Sequence, residues 1–227
     1  LIAMRSDESS GSSLGRWAAL GVFVTGVLYV TALGGGFASL DSAQDPIGDP
    51  WFTILELLIL TELPLLVMLF SALHMRTPVP LRPYSLAALI FICTLTTISA
   101  SVHFSILTLS RTELFQQDDI SRALFAFEWP SVAYALDILA WDGLFPLALF
   151  CIAATFSPTG REKIVRRLVL VSAWLSLAGL AGVVFADMQL RNIGILGYGM
   201  IWPLAALAMV GLFKTETRAV SSEDALS

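Results

Sequence analysis

The feature that most constrains this chain is a series of six apolar runs, each long enough to cross a bilayer and each separated from the next by a short polar stretch. They lie at about 17–35, 51–74, 83–110, 124–156, 165–187 and 194–213. A helix crossing a hydrocarbon core needs about 20 residues. Charged residues make up 14% of the chain and hydrophobic ones 56%, and most of the charge sits between the runs. Soluble domains carry about 25% charged residues. The chain therefore reads as an all-α integral membrane protein, a six-transmembrane-helix bundle. The first run is longer than the roughly 7–15-residue core of a secretory signal, so it reads as a retained helix. Met4 is a candidate initiator.

The domain division follows from the same pattern. Residues 1–16, rich in Ser and Gly, form a polar N-terminal segment; 17–213 form the membrane domain; 214–227 form a polar tail. Both flanking segments read as irregular chain. In the fourth run, Leu124 to Trp129 is expected along the interface, with Pro130 opening the spanning helix.

Orientation follows from the basic residues. Arg5, Arg16, Arg76, Arg82, Arg161, Lys163, Arg166, Arg167, Lys214 and Arg218 fall on one side; only Arg111, Arg122 and Arg191 fall on the other. The positive-inside rule makes the richer side, with both termini, cytoplasmic. The expected location is the cell membrane, multi-pass, or the inner membrane in a bacterium. A net charge of −5 without a basic stripe argues against nucleic-acid binding. Cys93 and Cys151 lie in separate apolar runs and read as buried free thiols.

Ionisable side chains inside membrane helices cost at least about 2.5–3.5 kcal/mol on insertion scales, which makes them functional candidates. Here they are Glu56 and Glu62 in the second run, His103 in the third, and Asp137 and Asp142 in the fourth. At about 1.5 Å per residue from the cytoplasmic ends, Glu62 and Asp142 fall near mid-membrane, about 18–21 Å up. Glu56, His103 and Asp137 fall higher, at about 27–30 Å. Ser99, one turn from His103, shares its face. Glu128, Asp187 and Arg191 lie nearer the outer surface and are expected at a cavity mouth, the last two as a surface ion pair at i and i+4. Trp141, Tyr134 and Phe145 are candidate cavity walls able to hold a cation on their aromatic faces.

The second, fourth and sixth runs share a motif. Glu62 precedes Pro64-Leu65, Asp142 precedes Pro146-Leu147, and the sixth has Trp202-Pro203-Leu204 without the acid. This suggests a threefold helical-hairpin repeat with kinks at a common depth.

Several chemistries fail on residue type or position. A retinal Schiff base needs an intramembrane lysine, and Lys163 and Lys214 sit in a loop and at a helix end. His74 lies at the cytoplasmic end of the second helix and His103 in the outer third of the third, about 25–30 Å apart by helical rise, so they cannot share a haem within one subunit. No GxSxG, HExxH or Walker sequence is present. No cofactor is identified; a metal on His103, Glu56 and Asp137 remains chemically possible.

The function expected is binding of a small amphipathic or cationic molecule in an outward-facing polar cavity, for sensing or proton-coupled transport. A hydrolase using the same His/carboxylate cluster, and a structural subunit whose acids only fix helix packing, are the alternatives. Membrane lipids are the other expected partner.

Overall fold

The computed structural model describes residues 2–42, 47–109, 112, 113, 115 and 119–224. Among them are six helices long and apolar enough to cross a membrane, the architecture of a polytopic membrane protein: α1 (Gly11–Ala38), α2 (Trp51–Arg76), α3 (Val79–Leu109), α4 (Val132–Ala153), α5 (Glu162–Val184) and α6 (Met188–Lys214). Each helix packs on its neighbours in sequence, and α6 returns to α1, closing a ring. Short connections force antiparallel neighbours, so both chain ends lie at one end of the bundle. There Ser12 donates to the Phe213 carbonyl at 2.8 Å, and Arg76 pairs with Glu162 at 2.8 Å.

The helix ends differ from the expected ones in four places. The first helix runs back to Ile2 and the last continues to Asp224, so helix extends into both flanking polar segments. α4 starts later than Pro130: Ser131 is its N-cap and accepts from the Tyr134 N–H at 3.0 Å. The residues before it form a separate short helix, Asp119–Phe125. Most important for the site, α6 begins at Met188 rather than 194. Asp187 caps it by accepting from the Gln189 N–H at 3.0 Å, which puts Arg191 inside the helix.

Two spans are interrupted near mid-membrane. Leu139–Leu144 in α4 and Leu196–Ile201 in α6 are single π-helical stretches, followed by Phe145-Pro146 and Trp202-Pro203. The Phe145 N–H bonds to the Ala140 carbonyl and the Trp202 N–H to the Gly197 carbonyl, a five-residue spacing. In α6 the Gly197 carbonyl also accepts from Ser172 of α5 at 2.9 Å. By contrast, α2 stays α-helical through Pro64. The shared motif thus corresponds to a shared distortion in α4 and α6 but not in α2.

The bundle is divided along its axis. In the half nearer the termini the core is apolar, with Leu66, Leu69, Leu73, Ile92, Leu149 and Ile152 fully buried. Phe70, Phe145 and Trp202 form an aromatic cluster within it, with Trp202 5.8 Å from Phe70 and 5.4 Å from Phe145 between ring centroids. Large apolar side chains such as Leu57, Ile90 and Leu207 face outward, as lipid-facing positions do. Cys93 is among the exposed residues and Cys151 is half-buried, so the expectation of two buried thiols is corrected. Neither is disulfide-bonded.

Candidate functional site

The distal half of the bundle encloses a cavity of about 790 Å³. Its walls come from α1, α2, α3, α4 and α6, and residues 122–128 of the cap lie across its top. Ligand pockets commonly measure about 300–1,000 Å³.

Five ionisable side chains from four helices are joined beside it in one buried chain. His103 of α3 lies between two carboxylates: Nδ1 is 2.8 Å from Glu56 Oε2 of α2, and Nε2 is 3.2 Å from Asp137 Oδ1 of α4. The other oxygen of Asp137 accepts from the Arg191 guanidinium of α6. Arg191 Nε donates to Asp142 Oδ2 at 3.0 Å. Its guanidinium also lies over the Tyr134 ring, 4.5 Å from the centroid. No member of the chain is more than 5% exposed. Burial of this kind is tolerated only with good geometry and satisfied partners.

The π-helical stretch explains how Asp137 and Asp142 reach one arginine. Residues i and i+5 point about 140° apart on a regular α-helix of 3.6 residues per turn. The wider π turn between them narrows that angle and brings both acids to the α6 side. Asp142 is then sealed. A Cβ built on Gly194 would lie 2.1 Å from Asp142 Oδ1, and one on Gly179 would lie 2.4 Å from it. That oxygen has no hydrogen-bond partner among the described residues. Only glycine at both positions leaves room for the carboxylate. The same close approach recurs below, where a Cβ on Gly197 would meet Ser176 N at 2.6 Å.

The expected residues therefore divide. Glu56, His103 and Asp137 come together and line the cavity. Asp142 belongs to their chain through Arg191 but does not line the cavity. Glu62 lines it separately, and among the described residues no cation lies within ion-pairing distance of it. Thr25 of α1 is its polar neighbour; the Thr25 hydroxyl lies 3.0 and 3.1 Å from the Gly21 and Val22 carbonyls of its own helix. Ser99 is buried and accepts from Trp141 Nε1 at 3.2 Å, fixing the ring that forms one wall.

At the mouth, Glu128 is exposed and 4.0 Å from Arg122. Asp187 is an N-cap and not part of the lining, and the expected Asp187–Arg191 surface pair is replaced by the buried contacts of Arg191 to Asp137 and Asp142. Of the expected aromatic walls, Tyr134 and Trp141 line the cavity, while Phe145 is wholly buried beneath it against Trp202. Tyr29 and Tyr198, which the sequence did not single out, complete the walls; Tyr198 stacks 5.3 Å from Trp141.

Both His103 nitrogens are engaged, each with a different carboxylate on opposite edges of the ring. A metal bound through the imidazole would have to replace one of these contacts, and among the described residues no group of three His, Cys, Asp or Glu is arranged to hold one. For both contacts to be hydrogen bonds, a proton must lie on each. Either the imidazole carries both, or one carboxyl carries one. Glu56–His103–Asp137 is thus a proton-holding trio, with Arg191 and Asp142 continuing it toward mid-membrane.

No family model, curated protein or solved structure matches the chain.

Proposed function

We propose that this chain binds a small molecule in the distal cavity, for sensing or proton-coupled transport, with both termini cytoplasmic and the cavity open to the outer side. The observation that carries this reading is the cavity itself. It combines a volume suited to a small organic molecule with aromatic walls and with polar groups supplied by four helices. A purely structural set of acids would be expected to pack against itself, whereas here Glu56, Glu62 and Asp137 all border open space.

Orientation rests on the basic residues. By sequence, three basic residues fall on the distal side against ten on the other, and one of the three, Arg191, is drawn into the bundle, which sharpens the positive-inside asymmetry. Proton coupling is supported by the His103 trio, whose two contacts need protons that a change in cavity contents would redistribute. Hydrolysis has less support, because Glu56 and Asp137, the carboxylates that would serve as base, are both engaged by His103.

The test is thermal unfolding of the detergent-purified protein against a panel of neutral, anionic and cationic small molecules. At least one should raise the transition temperature saturably in the wild type. That rise should disappear in Ile59→Trp and Gly199→Leu, which place bulk in the cavity. A Cβ at Gly199 meets only Ile195 Cγ2, at 3.5 Å. A panel without a saturable shift, or a shift that survives both fillings, overturns the reading.

A further inference from the structure

The cavity wall holds several acids, and all but one are occupied. Glu56 and Asp137 are bound to His103, and Asp137 also to Arg191. Glu128 faces Arg122 at the mouth. Asp49, at the rim, accepts from the Thr53 N–H and hydroxyl. Glu62 alone is nine-tenths buried, borders the cavity and has no cation beside it among the described residues.

Glu62 is six residues deeper along α2 than Glu56, about 9 Å by helical rise. Tyr29, Ile59, Trp141, Ile195 and Tyr198 line the same cavity, and Thr25 is the polar neighbour of Glu62. The aromatic cluster of Phe70, Phe145 and Trp202 lies beyond it. An ionised carboxylate left there unaccompanied carries a large desolvation cost, which a cation from outside would offset.

The surroundings select the kind of cation. A small inorganic ion would need several oxygen ligands to replace its water. Here Glu56 and Asp137 are already engaged, Glu62 offers one carboxylate beside the Thr25 hydroxyl, and most of the lining is aromatic or aliphatic. A weakly hydrated organic cation gains from that same wall, because aromatic faces attract its diffuse charge and apolar side chains cover its body.

We propose that Glu62 is the cation-binding group of the cavity and that its ligand is a monovalent organic cation with an apolar body. This rests on the cavity-binding reading above and adds the charge, the class and the residue. The Glu56–His103–Asp137–Arg191–Asp142 chain forms one flank of the site and does not itself receive the cation, since each acid in it already faces Arg191 or His103.

The test uses tetraphenylphosphonium and its anionic counterpart of equal shape, tetraphenylborate, on wild-type protein in lipid nanodiscs, with empty nanodiscs subtracted. Saturable binding of the phosphonium but not the borate is expected. Glu62→Gln, which keeps the shape and removes the charge, should weaken phosphonium binding about tenfold or more, because removing one member of a buried charge pair costs more than one factor of ten. Equal binding of both ions by the wild type overturns the proposal without recourse to any variant. Unchanged phosphonium binding in Glu62→Gln overturns it as well, leaving the cavity reading intact. If neither ion binds, the proposal also fails, and the neutral members of the thermal panel decide separately whether the cavity binds anything.

Discussion

Glu62 and Asp142 are both carboxylates near the middle of their spans, each shortly before a proline on a helix running toward the terminal end, yet their surroundings are opposite. Asp142 sits in a π-helical stretch, gripped by Arg191 on one oxygen and enclosed by Gly179 and Gly194 around the other. Glu62 sits on an unbroken α-helix and faces open space with no cation beside it among the described residues. Depth alone, therefore, does not assign a role to a buried acid. What a neighbouring backbone lets approach it decides whether it locks the fold or waits for a ligand.

The largest expected effect falls on the locked side. Arg191→Met leaves Asp137 and Asp142 buried without their shared cation, and should destabilise the protein by about 3–5 kcal/mol. Thermal unfolding and the yield of monodisperse protein measure it. Adding Asp137→Asn and Asp142→Asn to Arg191→Met should recover most of that loss, because neutral groups no longer require the cation. A small effect of Arg191→Met alone would break the contrast, since Asp142 would then be no more locked than Glu62.

Next in size is the glycine notch. Gly194→Ala places a Cβ within 2.1 Å of Asp142 Oδ1 and should cost about 1–3 kcal/mol through overpacking. The cost should shrink in an Asp142→Ala background, the non-additivity expected of touching groups. Gly199→Ala, at the cavity, meets only an ordinary contact and should be neutral or stabilising by up to about 1 kcal/mol. Equal losses at both glycines would show that the packing around Asp142 is not special.

The smallest effect is of opposite sign. Glu62→Gln removes an unaccompanied buried carboxylate, so the empty protein should become more stable, by about 2–4 °C for each kcal/mol gained in a chain of this size. Destabilisation instead would mean that Glu62 has a fold-supporting role like that of Asp142.

Much of the architecture was legible in order along the chain. Apolar runs of 20 residues leave the backbone no option but helix in hydrocarbon, which is why the six spans could be placed without a template. The acids and His103 stood out for the same reason, as groups too costly to leave in lipid. The apolar pattern places the start of the sixth helix at 194, after Arg191, whereas the helix begins at Met188. The missed signal was Asp187, an N-cap residue four positions before Arg191 and ahead of a good helical sequence. Tyr29 and Tyr198 gave no signal, since tyrosines in membrane helices usually serve packing or the interface. The Asp142 notch was equally silent, because Gly179 and Gly194 acquire meaning only through a residue 37 and 52 positions away.

By itself, then, the sequence determined which segments cross the membrane, which side is rich in positive charge, and which buried groups demand partners. Those properties follow from local transfer energies and need no knowledge of neighbours. Only the tertiary structure decided that Asp137 and Asp142 share Arg191, that His103 bridges two acids, and that Glu62 is left facing a cavity. The physical reason is that pairing depends on rotation about the helix axis. Two π-helical stretches and a few close-packed glycines set that rotation in α4 and α6, and a regular helical period does not contain it.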